Sequence, residues 1–125
     1  MLVFAGTAAD AVHSGIERAL GAMRQLASDA CTGGPDEPMI NLLAFYRDER
    51  YFSVLFPRPA HRPACHFAEH AQRIAISPAA LEMAGILVVA EPDHFDRVDA
   101  ATAHRIYEEV SLGEVQFAQL ANAIR

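Results

Sequence analysis

The residues best suited to chemistry lie in Phe56-Pro57-Arg58-Pro59-Ala60-His61-Arg62-Pro63, where prolines stiffen a loop bearing two guanidinium groups and an imidazole. An arginine presents a planar set of donors that matches phosphate oxygens, and a stiff loop loses less entropy on binding. Arg58, His61 and Arg62 are therefore the candidate phosphate-binding residues. In the competing reading, Arg58 and Arg62 pair with acids of the C-terminal third, with Glu82, Glu91 or Asp93 as partners. Solvent-facing arginines would be dispensable for folding, and paired ones would not.

Cys65-His66-Phe67-Ala68-Glu69-His70 sets two histidines four residues apart. On a helix they would share a face and could take zinc with Cys65 or His61. Zinc signatures use tight, paired spacings, and no second cluster supplies further ligands, so a solvated turn is the better reading and no metal or cofactor is expected. His94 and His104 lie in polar helical surroundings and read as exposed, and His13 sits beside an apolar helical stripe. There is no Gly-x-Ser-x-Gly, Gly33-Gly34 is too short for a phosphate-binding loop, and neither cysteine stands in a catalytic motif. No catalytic residue is assigned.

These groups sit in a chain of 125 residues, one domain's worth, with 52% hydrophobic residues, enough to build a packed core. The net charge is −6, and all ten basic residues are arginine. That balance argues against nucleic acid as a partner, since nonspecific binding rests on clustered cations. Five of the arginines nevertheless fall between Arg47 and Arg73, making this the one locally cationic segment. No apolar run approaches the roughly 18 to 20 residues of a membrane span. The first residues lack the basic start of a secretory signal, so a cytoplasmic location is expected. Cys31 and Cys65 then read as free thiols.

The positioning elements follow from pattern. After a short strand at Leu2–Ala5, Thr7 or Asp10 can cap a helix running to about Ala30, with Val12, Ile16, Ala19, Leu20, Met23 and Leu26 on one face. Thr32 to Pro38 concentrates breakers and reads as a surface loop. Met39–Tyr46 is apolar on both alternating faces, as for a strand covered on both sides, and pairs as a hairpin with Tyr51–Pro57. Arg73–Ile76 and Ile86–Ala90 are further strand candidates. Between them, Ser77 at the cap, Pro78 at the first position and Gly85 past the end mark a short helix. Asp99 caps a helix that buries Ala103, Ile106, Tyr107 and Val110, and Ser111-Leu112-Gly113-Glu114 has the form of a capping box opening the last one. The expectation is a single α+β domain over residues 1–125: an antiparallel sheet of about four strands, near residues 40, 52, 74 and 87, with a long N-terminal helix and C-terminal helices.

Three strings carry a resemblance: Met39-Ile40-Asn41-Leu42-Leu43; Leu55-Phe56-Pro57-Arg58 with His61-Arg62-Pro63; and Ile76-Ser77-Pro78-Ala79-Ala80-Leu81-Glu82-Met83-Ala84-Gly85. Together they resemble the C-terminal half of the GDP-hexose phosphorylases. These are the GDP-L-galactose and GDP-D-glucose enzymes and a related bacterial family of unassigned function, within the histidine triad superfamily. Glu91-Pro92-Asp93-His94-Phe95, Glu109-Val110-Ser111-Leu112 and Phe117 continue the likeness, which spans about residues 39 to 125. Asn41-Leu42-Leu43, Pro57-Arg58 and the Ser77–Gly85 turn are also similar, more faintly, to the C-terminal domain of diadenosine tetraphosphate phosphorylases.

The resemblance implies half of a histidine-triad-like fold. It also implies a reaction in which a histidine of a His-x-His-x-Gln/His motif attacks a nucleotide α-phosphate. These 125 residues contain no His-x-His, and covalent catalysis needs that nucleophile. The chain therefore reads as a complete structural half: the second half of a split enzyme, a solitary descendant that lost catalysis, or a chain whose upstream half is not in this sequence. The implied function is an accessory or vestigial domain of the nucleotide phosphorylase and nucleotidyltransferase class, binding a nucleotide or sugar nucleotide. The alternative is an interaction domain that forms a homodimer or docks on a separate histidine-bearing catalytic subunit. In either case, purified protein given GDP-glucose and phosphate should release no GDP above background, and mass spectrometry should find no acid-labile nucleotidyl adduct.

Overall fold

The computed structural model describes residues 1–26 and 37–125. The expected end of the first helix at residues 27–30, Cys31, and most of the Thr32–Pro38 loop lie outside the described residues. Leu2–Gly6 forms β1, Ala9–Leu26 α1, Ile40–Arg47 β2 and Arg50–Pro57 β3. After a 3-10 turn at Ala64–His66 come α2 (Ala80–Met83), α3 (Pro92–Phe95), α4 (Ala100–Glu109) and α5 (Glu114–Ala123). Among the described residues no helix is long and apolar enough to cross a membrane.

The chain is α+β, built on an antiparallel sheet in the order β1-β3-β2. The β2–β3 hairpin turns through Asp48 and Glu49, whose φ angles of 49° and 57° are those of the two-residue turn that matches strand twist. Leu2 stands opposite Leu55, and Leu55 opposite Leu42. Directly opposed residues share a face, so Leu2, Phe4, Leu55 and Ile40 line one side of the sheet. On that side they pack with Ala19, Ala22 and Met23 of α1 and Leu120 of α5. A second, smaller core gathers Ile74, Ile76 and Ile106, with Leu87, Val89 and Val98 packed against it. This core fastens the segments around 75 and 88 to α4.

Several expectations change. Among the described residues the sheet has three strands, not about four: β1 joins it, while Arg73–Ile76 and Ile86–Ala90 lie outside any ladder. Ile74, Ile76, Leu87 and Val89 pack with Ile106 of α4 instead of on the sheet. β2 is an edge strand instead of one covered on both faces, because α1 contacts β1 and β3, and Phe45 and Tyr46 remain exposed. α2 starts at Ala80, two residues later than Ser77-Pro78 suggests, with Ala79 as its extended N-cap and the Glu82 carboxylate accepting from the Ala79 amide at 2.8 Å. α5 opens at Gly113 without a side-chain cap, so Ser111 forms no capping box there. Asp99 caps α4 as expected, accepting from the Thr102 amide at 2.7 Å. That bond to the charged form, with help from the Thr102 hydroxyl, holds the Asp99 pKa below the usual carboxylate range.

α1 lies close to β1 because Gly15 lacks a side chain: a Cβ there would sit 2.5 Å from Cδ1 of Phe4. Overpacking of this kind costs about 1–3 kcal/mol, against a helix-propensity gain of roughly 0.5–1 kcal/mol. Gly15→Ala should therefore lower the free energy of urea unfolding by about 1 kcal/mol. In a Phe4→Ala background the same change should be neutral or stabilising, since the obstructing ring is gone.

Candidate functional site

Where β3 ends, the chain makes one more rung with β2: the Arg58 amide donates to the Met39 carbonyl at 2.9 Å. This fixes the Arg58 Cα at the sheet margin, and the prolines on either side keep the following residues out of helix, in a bent loop. The side chain then turns inward and is 1% exposed. Nη1 donates to the Pro78 carbonyl, and Nη2 donates to the His61 carbonyl at 2.9 Å. One guanidinium thus ties the proline-rich loop to itself and to the residues leading into α2. Among the described residues no carboxylate lies within ion-pair distance of Arg58 or Arg62. Burial pushes the Arg58 pKa down from its ordinary value, and the Glu82 charge opposes that shift.

Around this clamp lies a cleft of about 550 Å³, lined among others by Asn41, Arg58, His61, Arg62 and Ser77. The three residues expected to bind phosphate are therefore brought to one place, but in unequal roles. Arg62 and His61 are exposed, whereas Arg58 is buried, with both terminal nitrogens held by carbonyls. Its two terminal nitrogens each give one N–H to the fold and keep the other. Among the described residues its buried Nε has no partner, and neither has Nδ2 of Asn41, which lines the same cleft. Each unpaired buried donor costs about 1–3 kcal/mol. Both nitrogens lie within the wall of the same cleft. Asn41 is not among the expected phosphate-binding residues, although it is the one polar side chain between Met39 and Phe45.

The cleft wall is braced from behind. Glu82 holds the Ala79 amide, and the Tyr107 hydroxyl donates to the Glu82 carbonyl at 2.7 Å, joining α2 to α4. His66 Nδ1 lies 2.9 Å from the Ile76 carbonyl, so His66 is anchored rather than part of a freely solvated turn. His70 is exposed, and no group of three or more potential metal ligands occurs among the described residues. Burial and the nearby Glu109 carboxylate push the Cys65 thiol pKa up, the opposite of what a thiolate nucleophile requires. His104 is exposed as expected, but His94 is not. The single turn of α3, begun by Pro92, points His94 inward, where Nδ1 accepts from the Ala75 amide at 3.1 Å.

Residues 40–125 match the family model described as GDPGP1-like, C-terminal domain. The match covers over two thirds of the chain, which therefore belongs to this family, a C-terminal domain of GDP-hexose phosphorylase-like proteins. Neither a curated protein nor a solved structure gave a match.

The two arginines should separate cleanly in unfolding experiments. Arg58→Lys cannot reach both carbonyls with planar geometry, and charge-assisted hydrogen bonds contribute about 1.5–3 kcal/mol each. A loss of about 2–4 kcal/mol is expected in urea unfolding. Arg62→Ala, at an exposed position, should change stability by less than about 0.5 kcal/mol.

Proposed function

We propose that this GDPGP1-like C-terminal domain is an accessory domain of the nucleotide phosphorylase and nucleotidyltransferase class. In this reading it holds a phosphate of a nucleotide or sugar nucleotide in the Arg58–Arg62 cleft, while the nucleophile comes from elsewhere. A cytoplasmic location, where such nucleotides are abundant, belongs to the same proposal. The observation that carries it is the pair of unpartnered buried donors, Arg58 Nε and Asn41 Nδ2, beside a cleft that also presents Arg62 and His61. A phosphate oxygen accepts from such donors without needing a proton of its own, and the guanidinium charges favour an anion over a neutral acceptor. Arg58 contributes one N–H and a fixed charge, Asn41 a second donor, and Arg62 an exposed guanidinium on the cleft lining. Family membership supports a GDP-bearing ligand.

Calorimetric titration with GDP and GDP-glucose tests this directly. Wild type should bind, and Arg62→Ala should bind roughly ten-fold or more weakly, the equivalent of one charge-assisted hydrogen bond. Asn41→Leu is the sharper variant, because its two effects have opposite signs. Removing an orphaned donor should raise stability by about 1 kcal/mol, while affinity falls about five-fold. Absence of GDP binding by the wild type, or an Asn41→Leu protein that is destabilised and binds normally, would contradict the proposal.

A further inference from the structure

Ile86–Ala90 has the composition and alternation of a strand without the bonds of one. Leu87 and Val89 are half-buried against the Ile74, Ile76 and Ile106 core, while Ile86 and Val88 on the opposite side are 58% and 49% exposed. The Ile86 amide donates to the Leu81 carbonyl. From Leu87 to Ala90, no backbone amide or carbonyl is hydrogen-bonded to any described residue. Four consecutive residues with free backbone groups on a β-branched, uncharged run form an open template for another extended chain.

We propose that the occupant is the same segment of a second copy of this chain, running antiparallel about a two-fold axis through Val88. That register sets Val88 against Val88, Leu87 against Val89, and Ile86 against Ala90, pairing β-branched and large-with-small side chains. The next position places Glu91 opposite Gly85, so no like charges face each other within the ladder. The two-fold keeps Leu87 and Val89 of each copy on its own core and brings the exposed Ile86 and Val88 of both copies onto one common face. A five-residue ladder is small by the standard of stable interfaces, and each chain carries a net charge of −6. The dimer is therefore weak, with a dissociation constant of about 10 µM to 1 mM, and added salt strengthens it by screening the repulsion.

Sedimentation equilibrium and amide hydrogen exchange, each run across that concentration range, test the proposal together. The expected result is a monomer–dimer equilibrium shifted toward dimer by salt, with the amides of residues 87–90 protected only as dimer accumulates. Val88→Lys should leave the thermal melt of the dilute protein within a few degrees of wild type and abolish the dimer, since it sets two ammonium groups face to face. Val88→Cys, in a Cys31→Ser/Cys65→Ser background, should cross-link across the axis under mild oxidant, whereas Val115→Cys on the outside of α5 should not. A monomer at every concentration overturns the proposal. So does a dimer whose 87–90 amides exchange freely or that survives Val88→Lys, or protection of those amides already in the dilute monomer.

Discussion

The buried guanidinium of Arg58 is the interaction on which the rest of the site depends. A charge removed from water without a carboxylate beside it is costly, and here the compensation comes from two carbonyl dipoles, those of Pro78 and His61. Meeting both carbonyls requires the loop after β3 to curl back over the sheet end and the Ser77–Ala79 segment to come down onto it. The prolines make this affordable, because Pro57, Pro59 and Pro63 have little backbone freedom left to lose. The cleft is thus a by-product of satisfying one side chain, whose Nε is the guanidinium nitrogen left without a partner among the described residues.

The two cores divide the labour around this clamp. α1 and α5 cover one face of the sheet and fix the margin from which Arg58 departs. The Ile74, Ile76 and Ile106 cluster, with the Tyr107–Glu82 bond, fixes the α2 side that supplies the Pro78 carbonyl. Arg97 reinforces the second unit by donating to the Ala71 and Arg73 carbonyls. Again an arginine serves backbone carbonyls rather than an acid, in a chain whose ten basic side chains are all arginine. Planar, multi-donor side chains suit such bracing better than an ammonium does.

Local rules carried much of this architecture into the sequence. The hairpin, the Asp99 cap, the Gly85 stop at φ +103° and the break between α4 and α5 each rest on nearby residues, and each was legible. The failures share a different origin. Ile74–Ile76 and Ile86–Ala90 have strand composition, but a ladder needs a partner at long range, and periodicity does not say where that partner is. His94 looks polar and surface-bound among Glu91, Asp93 and Asp96, yet one turn of helix is enough to aim it at the Ala75 amide. Arg58 stands out in the sequence, but its burial does not, because nothing in Pro-Arg-Pro reveals that carbonyls 3 and 20 residues away receive its Nη atoms. The Asn41 donor is as hard to read from sequence, because it matters only through what the loop brings near it.

The central claim is the proposal that the Arg58 Nε–H, without a partner among the described residues, faces the phosphate of a bound nucleotide. Nitrogen-15 NMR of the arginine side chains, following the Arg58 Nε–H resonance while inorganic phosphate and then GDP are added, tests it most directly. The account predicts a sharp, slowly exchanging signal in the free protein that shifts saturably with either ligand. A broad, rapidly exchanging signal, or one unmoved by both ligands, would contradict it.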